Sequence, residues 1–340
     1  MGVQIAEILP KKQTSIEELR GRTFAVDSLL WIHQFLSIIR GPDGTPLKDS
    51  KGRITSHLSG ILYRNAKLLE SGLKLIWVFD GKPPEFKART TAARAEIKVA
   101  AHKEWKEALE RGDKEAARSA AMRTSSVNEE ILSSAKELIL AMGIPVLQAP
   151  SEGEAQCSAL CSSGTVWSVA SQDSDALLFG TPRLVRNLSV SGKRKIPGKQ
   201  VFVDVNPELI ELKETLSILG LTRSQLITMG LLVGTDYNPG VKGIGPKKAL
   251  KLVREEKTLE NVLKKVNWDG SPAEELLSFF LNPPALENPK IETPKLNPEK
   301  IMKIMVDEHE FSQERIEKVV RMLEELQKPK GLSAWTKNKL

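Results

Sequence analysis

The chain has 340 residues, of which 40% are hydrophobic and 27% are charged, and its formal net charge is +7. This length and apolar content suffice for one large domain or two small ones, and they exclude an intrinsically disordered chain. No apolar run approaches the ~18 residues of a membrane-spanning helix, and the N-terminus lacks the basic and apolar regions of a signal peptide.

The first half of the chain alternates short apolar runs with helical segments. Strands are predicted at 23–26, 73–79, 144–147 and 165–170, with two further short ones near 184–185 and 201–203. Nearly continuous apolar strands of this kind are typical of a parallel sheet that helices cover on both faces. The sequence therefore predicts an α/β fold with a central, mostly parallel, twisted sheet flanked by helices.

A charged, helix-prone segment at 84–128 is too long to be a single crossover helix. Gly112 indicates a break between two helices. One interpretation is a solvated helical hairpin, because the apolar positions are sparse and mostly alanine. The other is a basic element that stands over an active site. Basic residues cluster at its start, at Lys82, Lys87, Arg89, Arg94 and Lys98. This cluster favours the second interpretation.

Seven carboxylates occupy informative places, and six of them follow a predicted strand. They are Asp27, Asp80, Glu152, Glu154, Asp173, Asp175 and Asp236. The carboxyl ends of parallel strands meet at one edge of a sheet, so these side chains should share a crevice. We expect Glu152 and Glu154 to point to one side, as residues two apart do in an extended chain.

Oxygen ligands without histidine or cysteine select Mg²⁺ or Mn²⁺. Two such ions can hydrolyse a phosphodiester without a protein nucleophile. Any one of the acids, taken alone, could be a helix cap or a loop residue. Together, at four strand ends, they predict a metal site.

The segment 236–254 combines glycines, a proline and lysines in a pattern typical of a turn followed by a helix. Gly243 and Gly245 permit a tight turn with exposed N–H groups, and the helix dipole with Lys247 and Lys248 would face an anion. This pattern indicates a helix-hairpin-helix element that grips a DNA backbone without reading its sequence. The alternative is an ordinary glycine turn with solvated lysines.

Further along, a proline-rich stretch at 282–298 predicts irregular chain, and an amphipathic helix is expected at about 312–327. Cys157 and Cys161 lie four residues apart in a predicted helix. Two cysteines cannot form a disulfide scaffold or a zinc site alone, so we expect both to be buried in a reducing interior.

A series of distinctive motifs extends along nearly the whole chain, from Gly2 to Ile316. They include AVDSLLWIHQFL, WVFDGKPPEFK, GIPVLQAPSEGEAQC, SQDSDALLFG and LLVGTDYNPGVKGIGPKKAL. Together they resemble the flap endonucleases, the XPG/RAD-type structure-specific 5′ nucleases of replication and repair. The length, without a long basic C-terminal extension, resembles the archaeal branch.

The resemblance implies a PIN-like, Rossmann-like 5′-nuclease fold, with one nuclease domain over 1–316 and a tail at 317–340. Within that domain it implies an N-terminal region at 1–100, a helical arch at 84–128 that a 5′ flap threads, and an internal region at 145–257. The seven acids match the family's metal ligands for two Mg²⁺ ions, which Mn²⁺ can replace. Lys87 and Arg94 match arch residues that contact the scissile phosphate. The glycine hairpin matches an element that holds the downstream duplex, often with K⁺.

Further DNA contacts are implied at several positions outside the acids. They are Gly2, His33, Thr55, Ser56 and Phe311. Gly2 would lie near the metal site after removal of Met1. Thr55, Ser56 and Phe311 would contact a one-nucleotide 3′ flap of the substrate. His33 stands where the family often has a tyrosine that stacks on a base. His309 and Glu310 replace more usual basic or amide residues.

A sliding-clamp (PCNA) motif is expected in the tail. Leu332 and Trp335 fit it, whereas Pro329 and Thr336 depart from it. The alternative is a disordered tail with one exposed tryptophan.

The resemblance thus implies an intracellular, cytoplasmic, monomeric Mg²⁺-dependent endonuclease that cuts 5′ flaps, with 5′–3′ exonuclease activity and a role at the nucleoid. A bubble-cutting or gap-directed relative is one alternative. A non-catalytic DNA-junction binder or clamp adaptor is another, which the loss of an acid would favour; none is lost.

Overall fold

The computed structural model describes residues 2–41, 44–122, 124, 126–190, 192–195, 202–268 and 270–328. Within these ranges, the side chains at 88–98, 114–115, 118, 193–195 and 202–203 are outside the description. The strands in this part of the chain are β1 (Lys12–Gln13), β2 (Thr23–Asp27), β3 (Lys74–Phe79), β4 (Val146–Gln148), β5 (Ser168–Ala170), β6 (Arg183–Arg186), β7 (Gly192–Lys195), β8 (Phe202–Val205) and β9 (Glu208–Glu211).

The helices of the same ranges are α1 (Ser28–Ile38), α2 (Ser56–Glu70), α3 (Ala88–Glu110), α4 (Lys114–Met122), α5 (Glu129–Ala141), α6 (Gly153–Ser162), α7 (Asp175–Leu178), α8 (Leu212–Leu219), α9 (Arg223–Val233), α10 (Pro246–Glu256), α11 (Leu259–Lys264), α12 (Ala273–Leu281), α13 (Pro298–Met302) and α14 (Gln313–Gln327). Short 3-10 turns form at Glu85–Lys87 and Leu188–Val190, and a π-helical turn forms at Lys303–Glu308.

The central sheet contains seven of the described strands, in the order β1-β9-β6-β5-β2-β3-β4. The strands from β6 to β4 run parallel to their neighbours, whereas β9 is antiparallel to both β6 and β1. β7 and β8 form a separate antiparallel ribbon, so the strand predicted near 201–203 lies outside the central sheet. The predicted, mostly parallel sheet is confirmed, with an antiparallel edge that the sequence did not reveal.

Helices cover both faces of the sheet. Successive residues of a strand point to opposite faces, and in the central strands the residues on both faces are apolar, so both faces need cover. On one face, Ala25 and Val78 pack in a core with α6, α9, α10 and α12. On the other face, Phe24 and Val26 pack with α1, α2, α5 and α14. Both cysteines of α6 are buried in the first core as free thiols, as predicted. This sandwich fixes the strand ends, and with them the loops that follow.

The segment predicted as a helical pair folds as α3 and α4, which pack on each other. Gly112 lies between them with a φ of +70°. This left-handed conformation favours glycine, so the chain can end one helix and begin the next within a few residues. The predicted break is confirmed. The proline-rich stretch is irregular up to α13, and α14 is the predicted amphipathic helix.

Among the described helices, none by itself has the length and apolar character to cross a bilayer, although the bent pair Leu212–Leu219 and Arg223–Val233 meets both criteria jointly.

Candidate metal centre

Acidic side chains converge at the carboxyl edge of the parallel strands. Asp27 ends β2, Asp80 follows β3, Glu152 and Glu154 begin α6, Asp173 and Asp175 follow β5, and Asp236 follows α9. These acids are electrostatic neighbours of one another in overlapping groups. Carboxylate oxygens of Glu154, Asp173 and Asp175 lie within 4.8 Å of one another. The fold therefore assembles one acidic cluster from segments far apart in the chain.

The junction between β3 and α6 holds one side of this cluster. Oδ1 of Asp80 accepts a hydrogen bond from the N–H of Gly153. The N–H of Gly81 donates to the carbonyl of Ser151 at 2.6 Å and closes the same junction. A Cβ on Gly153 would lie 2.8 Å from Oδ1 of Asp80, which is closer than real Cβ atoms come. A side chain at the start of α6 would therefore have to displace the carboxylate of Asp80.

A chain of hydrogen bonds orients the other side of the cluster. Ser171 donates its hydroxyl to Oε1 of Glu154 at 3.1 Å and accepts from the N–H of Asp173 at 3.0 Å. The N–H of Asp175 donates to Oδ1 of Asp173 at 3.1 Å. Oδ1 of Asp175 in turn accepts from the N–H of Val3 at 2.7 Å. The N-terminal segment and two distant loops thus hold these carboxylates in place.

Gly2 is buried against the same carboxylates. Its backbone N–H hydrogen-bonds Asp173. A Cβ at position 2 would lie 1.7 Å from Oδ1 of Asp173, so no other residue fits without displacing that side chain. The expected proximity of Gly2 to the site is what the structure shows.

Burial and mutual repulsion raise the pKa of these carboxyl groups. For Asp27, burial first and then the charge of Asp80 raise the pKa to about 8. Burial and then the charge of Asp173 raise the pKa of both Glu154 and Asp175 well above the usual range. Buried acids that repel one another hold protons unless a cation lies among them. Such a cation would displace those protons.

Lys87 supplies the positive charge at the edge of the cluster. Its Nζ lies 2.6 Å from Oε2 of Glu152. Burial lowers the pKa of Lys87, but the charges of Glu152, Asp80 and Asp236 raise it by more, so the ammonium group stays charged. Burial raises the pKa of Glu152 although Lys87 opposes that change. The predicted arch lysine is therefore already paired with one of the predicted metal ligands.

The carboxylates divide into two groups that share Asp27 and Asp236 as neighbours. The first group is Glu154, Asp173 and Asp175, and the second is Asp80 and Glu152 with Lys87.

The backbone of Glu152–Glu154 is not extended as expected, although both side chains reach the acidic cluster. α6 begins at Gly153, so Glu152 is its extended N-cap and Glu154 lies in its first turn. The two side chains consequently reach the cluster in different groups.

The glycine hairpin has the predicted turn-then-helix form. Gly243 has a φ of +82°, and Gly245 is the N-cap of α10, with a proline directly after it. Lys247 and Lys248 are exposed in the first turn, and Nζ of Lys248 donates to the carbonyl of Gly243 at 3.0 Å. The loop before the turn is braced by a hydrogen bond from the Thr235 hydroxyl to Oδ1 of Asn238, at 2.8 Å. This bond closes a tight turn around Asp236, directly before the hairpin.

The segments that carry the residues expected at the 3′-flap pocket are joined by hydrogen bonds, but not all of these residues are accessible. Thr55 and Ser56 are buried, and the Ser56 hydroxyl bridges the N–H of Leu47, at 2.9 Å, and the carbonyl of Ile39, at 2.6 Å. Phe311 is half-buried. A cavity of about 260 Å³ lies next to them, lined by residues that include Lys48, Arg53, His57, Ser134 and His309.

His309 and Glu310, which depart from the family pattern, contact the loop that carries Asp49 and Ser50. Nδ1 of His309 lies 3.1 Å from Oδ2 of Asp49. Glu310 accepts two hydrogen bonds from Ser50, one from its backbone N–H, at 2.8 Å, and one from its hydroxyl.

Four other predicted site residues are His33, Arg94, Leu332 and Trp335. His33 is half-buried on α1. The side chain of Arg94, and Leu332 and Trp335 of the expected clamp motif, lie outside the described residues.

Two aromatic residues beside the site were missed. Phe86 and Tyr237 directly adjoin Lys87 and Asp236 in the sequence, and their rings lie 5.5 Å apart. Adjacency to a predicted site residue was the one available signal for them.

The comparisons with known proteins agree with this geometry. Residues 1–101 match the family model of the XPG N-terminal domain, and residues 143–236 match that of the XPG I-region. Flap endonuclease 1 of Pyrococcus furiosus is 50% identical over 99% of this chain and 100% of its own length. That of Staphylothermus marinus is 50% identical over 98% of this chain and 99% of its own length. This chain belongs to the flap endonuclease family.

A solved flap endonuclease-1 from Methanococcus jannaschii is 41% identical, with a TM-score of 0.75, over 96% of this chain and 98% of that one. The catalytic core of Rad2 with a DNA substrate shares the fold at 22% identity, with a TM-score of 0.69. The predicted 5′-nuclease fold and family are confirmed. As a flap endonuclease, the chain is a structure-specific nuclease of branched DNA, a hydrolase of phosphodiester bonds in a metal-dependent family of replication and repair.

Proposed function

We propose that this flap endonuclease cuts 5′-flap junctions with Mg²⁺ held by its seven carboxylates. The work it would do is the maturation of Okazaki fragments and base-excision repair, and it would also degrade 5′ ends as an exonuclease. The observation that carries the proposal is the convergence of the acids and Lys87 at one edge of the sheet. A site of this composition binds cations and the phosphates that accompany them.

The donor chemistry of the cluster supports a hard divalent cation. The predicted donors are all carboxylate oxygens, and among the described residues no histidine or cysteine belongs to the group of Glu154, Asp173 and Asp175. Such ligands favour Mg²⁺, with Mn²⁺ as a substitute. Glu154, Asp173 and Asp175 would hold one ion and Asp80 with Glu152 the other, with Asp27 and Asp236 between them. When bound, the two ions would activate water and stabilise the leaving oxygen.

The protein's own cations would neutralise the phosphate. Lys87 is already at the cluster, so its ammonium group could turn from Glu152 to a phosphate oxygen when substrate arrives. Arg94, on the same arch, would also contact the scissile phosphate. Fixed positive charge aimed at a reacting phosphate stabilises the charge that develops there.

Binding of the duplex would be spread over several surfaces. The N–H groups at Gly243 and Gly245, with Lys247 and Lys248, would hold one backbone, with K⁺ as a bridging ion. Gly2 and His33 would lie near the cut strand. Thr55, Ser56 and Phe311 would shape the pocket for the 3′ nucleotide. These contacts address backbone and ends, so the enzyme would recognise the shape of DNA and not its sequence.

The domain and partner assignments extend the same proposal. Residues 1–316 would form one nuclease domain, with 84–128 as its arch, and residues 317–340 would end in a clamp-binding segment. Leu332 and Trp335 would then insert into PCNA. The enzyme would act as a monomer inside the cell, at the nucleoid.

The test is cleavage of a labelled double-flap DNA in Mg²⁺, alongside single-stranded, fully duplex and 3′-flap controls. We expect one product, cut just inside the 5′-flap junction, and its loss in EDTA. Binding without cleavage in both Mg²⁺ and Mn²⁺ would instead identify a non-catalytic junction binder. Cleavage of a bubble or a gap in preference to the flap would indicate another branch of the superfamily.

A further inference from the structure

A closed triangle of aromatic rings lies at the base of the arch. Phe86 lies 5.5 Å from Tyr237 and 5.0 Å from Phe279, and Tyr237 lies 5.2 Å from Phe279, measured between ring centroids. All three pairs are edge-to-face, the arrangement that aromatic rings favour. The triangle joins three separate segments: the turn before α3, the loop after Asp236 and the helix α12.

The triangle is anchored in the core and is not a surface feature. Tyr237 is 5% exposed, and its ring also lies 5.4 Å from that of Phe280, which is fully buried. Phe279 lies 5.7 Å from Phe179, another buried ring. The two rings that contact Phe86 are therefore themselves held by buried rings.

Lys87 depends on this anchor through the covalent chain. It follows Phe86 directly, ends the 3-10 turn Glu85–Lys87 and is the N-cap of α3. The positive end of the helix dipole repels an ammonium group at that place. The side chain nevertheless reaches Glu152 at 2.6 Å, and its Nζ lies 5.9 Å from the ring centroid of Tyr237. A lysine has four rotatable side-chain bonds, so a fixed backbone is needed to aim it.

We propose that Phe86, clamped between Tyr237 and Phe279, is a positioning residue that holds Lys87 at the carboxylate cluster. The inference rests on the proposed role of Lys87 in cleavage. It adds a physical connection between the base of the arch, the loop that carries Asp236 and α12. Phe86 itself touches neither phosphate nor metal and acts only through its neighbour.

A double-mutant cycle tests the proposal. Phe86→Ala, Lys87→Ala and the double variant are compared with wild type in single-turnover cleavage of a double-flap DNA. Leu109→Ala, at the far end of α3 and 42% exposed, is the matched control. Phe86→Ala should slow cleavage about 10-fold and leave the DNA dissociation constant, measured in Ca²⁺, within about 3-fold. Phe86→Tyr, which keeps the ring, should restore most of the rate.

The double variant decides how Phe86 acts. If Phe86 works through Lys87, the double variant cleaves no more slowly than Lys87→Ala, because coupled residues are not additive. If Phe86→Ala slows Lys87→Ala by the same factor as it slows wild type, the two residues act independently and the proposal is overturned.

A titration of Mn²⁺ without DNA gives a second readout that does not depend on cleavage. Removal of the ammonium group beside Glu152 should raise the affinity of Lys87→Ala for Mn²⁺. Phe86→Ala should raise it in the same direction, Leu109→Ala should not, and the double variant should match Lys87→Ala. An unchanged affinity in Phe86→Ala would overturn the proposal, even if Lys87 proves dispensable for the cut. Wild-type cleavage by Lys87→Ala with the expected Mn²⁺ shifts would refute only its proposed catalytic role.

Discussion

The backbone N–H of Val3 donates a 2.7 Å hydrogen bond to Oδ1 of Asp175, across 172 residues of sequence. The N-terminal segment is consequently part of the wall of the acidic cluster. Gly2, directly before it, leaves no room for a side chain beside Asp173.

Gly2→Ala should therefore impair cleavage and not folding. The added Cβ must push the carboxylate of Asp173 aside, and a misplacement of about 1 Å at a reacting centre can cost about 100-fold in rate. The measurement is single-turnover cleavage with thermal unfolding alongside, and Glu7→Ala, at an exposed position nearby, is the control. Wild-type cleavage by Gly2→Ala would show that Asp173 need not stay where it is.

Asp175→Asn tests the acids as metal ligands. The amide keeps the shape but removes the charge, so we expect the cleavage rate to fall by at least about 100-fold, with DNA affinity nearly unchanged. Asp307→Asn, an exposed change of the same kind, serves as the control. Equal rates for the two variants in Mg²⁺ would remove Asp175 from the metal site.

The raised pKa values predict a pH dependence of stability in the metal-free protein. Burial and then Asp80 raise the pKa of Asp27 from 3.8 to about 8, so the folded state binds a proton there that the unfolded state releases. The free energy of unfolding should then fall as pH rises between these two values.

Mg²⁺ should reverse this trend, because it replaces the protons. The measurement is the Tm at several pH values in EDTA and in Mg²⁺. The stabilisation by Mg²⁺ should grow with pH, and a constant difference at all pH values would contradict the proposed proton displacement.

The glycine hairpin should contribute to DNA affinity through charge alone. Lys247→Ala/Lys248→Ala removes two exposed cations, so the slope of log affinity against log salt should become shallower by about 1 to 2. The control is the double variant Lys290→Ala/Lys318→Ala, which removes two positive charges from exposed positions outside the hairpin. An identical slope for both double variants would mean that net charge, and not the hairpin, governs binding.

Local patterns in the sequence were enough to predict much of this molecule. Asp27 and Asp80 each follow a buried apolar strand, so the sheet and its acidic edge could be predicted together. Gly112 likewise indicated where one arch helix ends and the next begins. Each of these signals lies within a few residues of the feature that it predicts.

The features that the sequence patterns did not predict depend on contacts between distant segments of the chain. β1 is a two-residue polar edge strand, and β9 beside it begins and ends with glutamate, so only their pairing reveals them. Phe279 reaches Phe86 through the fold, and no spacing in the sequence predicts that contact. Glu152 and Glu154 fall into two groups because α6 begins between them, at Gly153. Glu152 is its N-cap, and Glu154 lies in its first turn.

The most direct measurement is the anomalous scattering of Mn²⁺ in crystals of the Lys87→Ala protein, which we expect to cleave slowly, with double-flap DNA. We predict two Mn²⁺ peaks about 4 Å apart, one beside Glu154, Asp173 and Asp175 and one beside Asp80 and Glu152, with the flap junction above them. Mn²⁺ absent from the carboxylates, or DNA bound away from them, would contradict the proposal that these acids form the metal centre for cleavage.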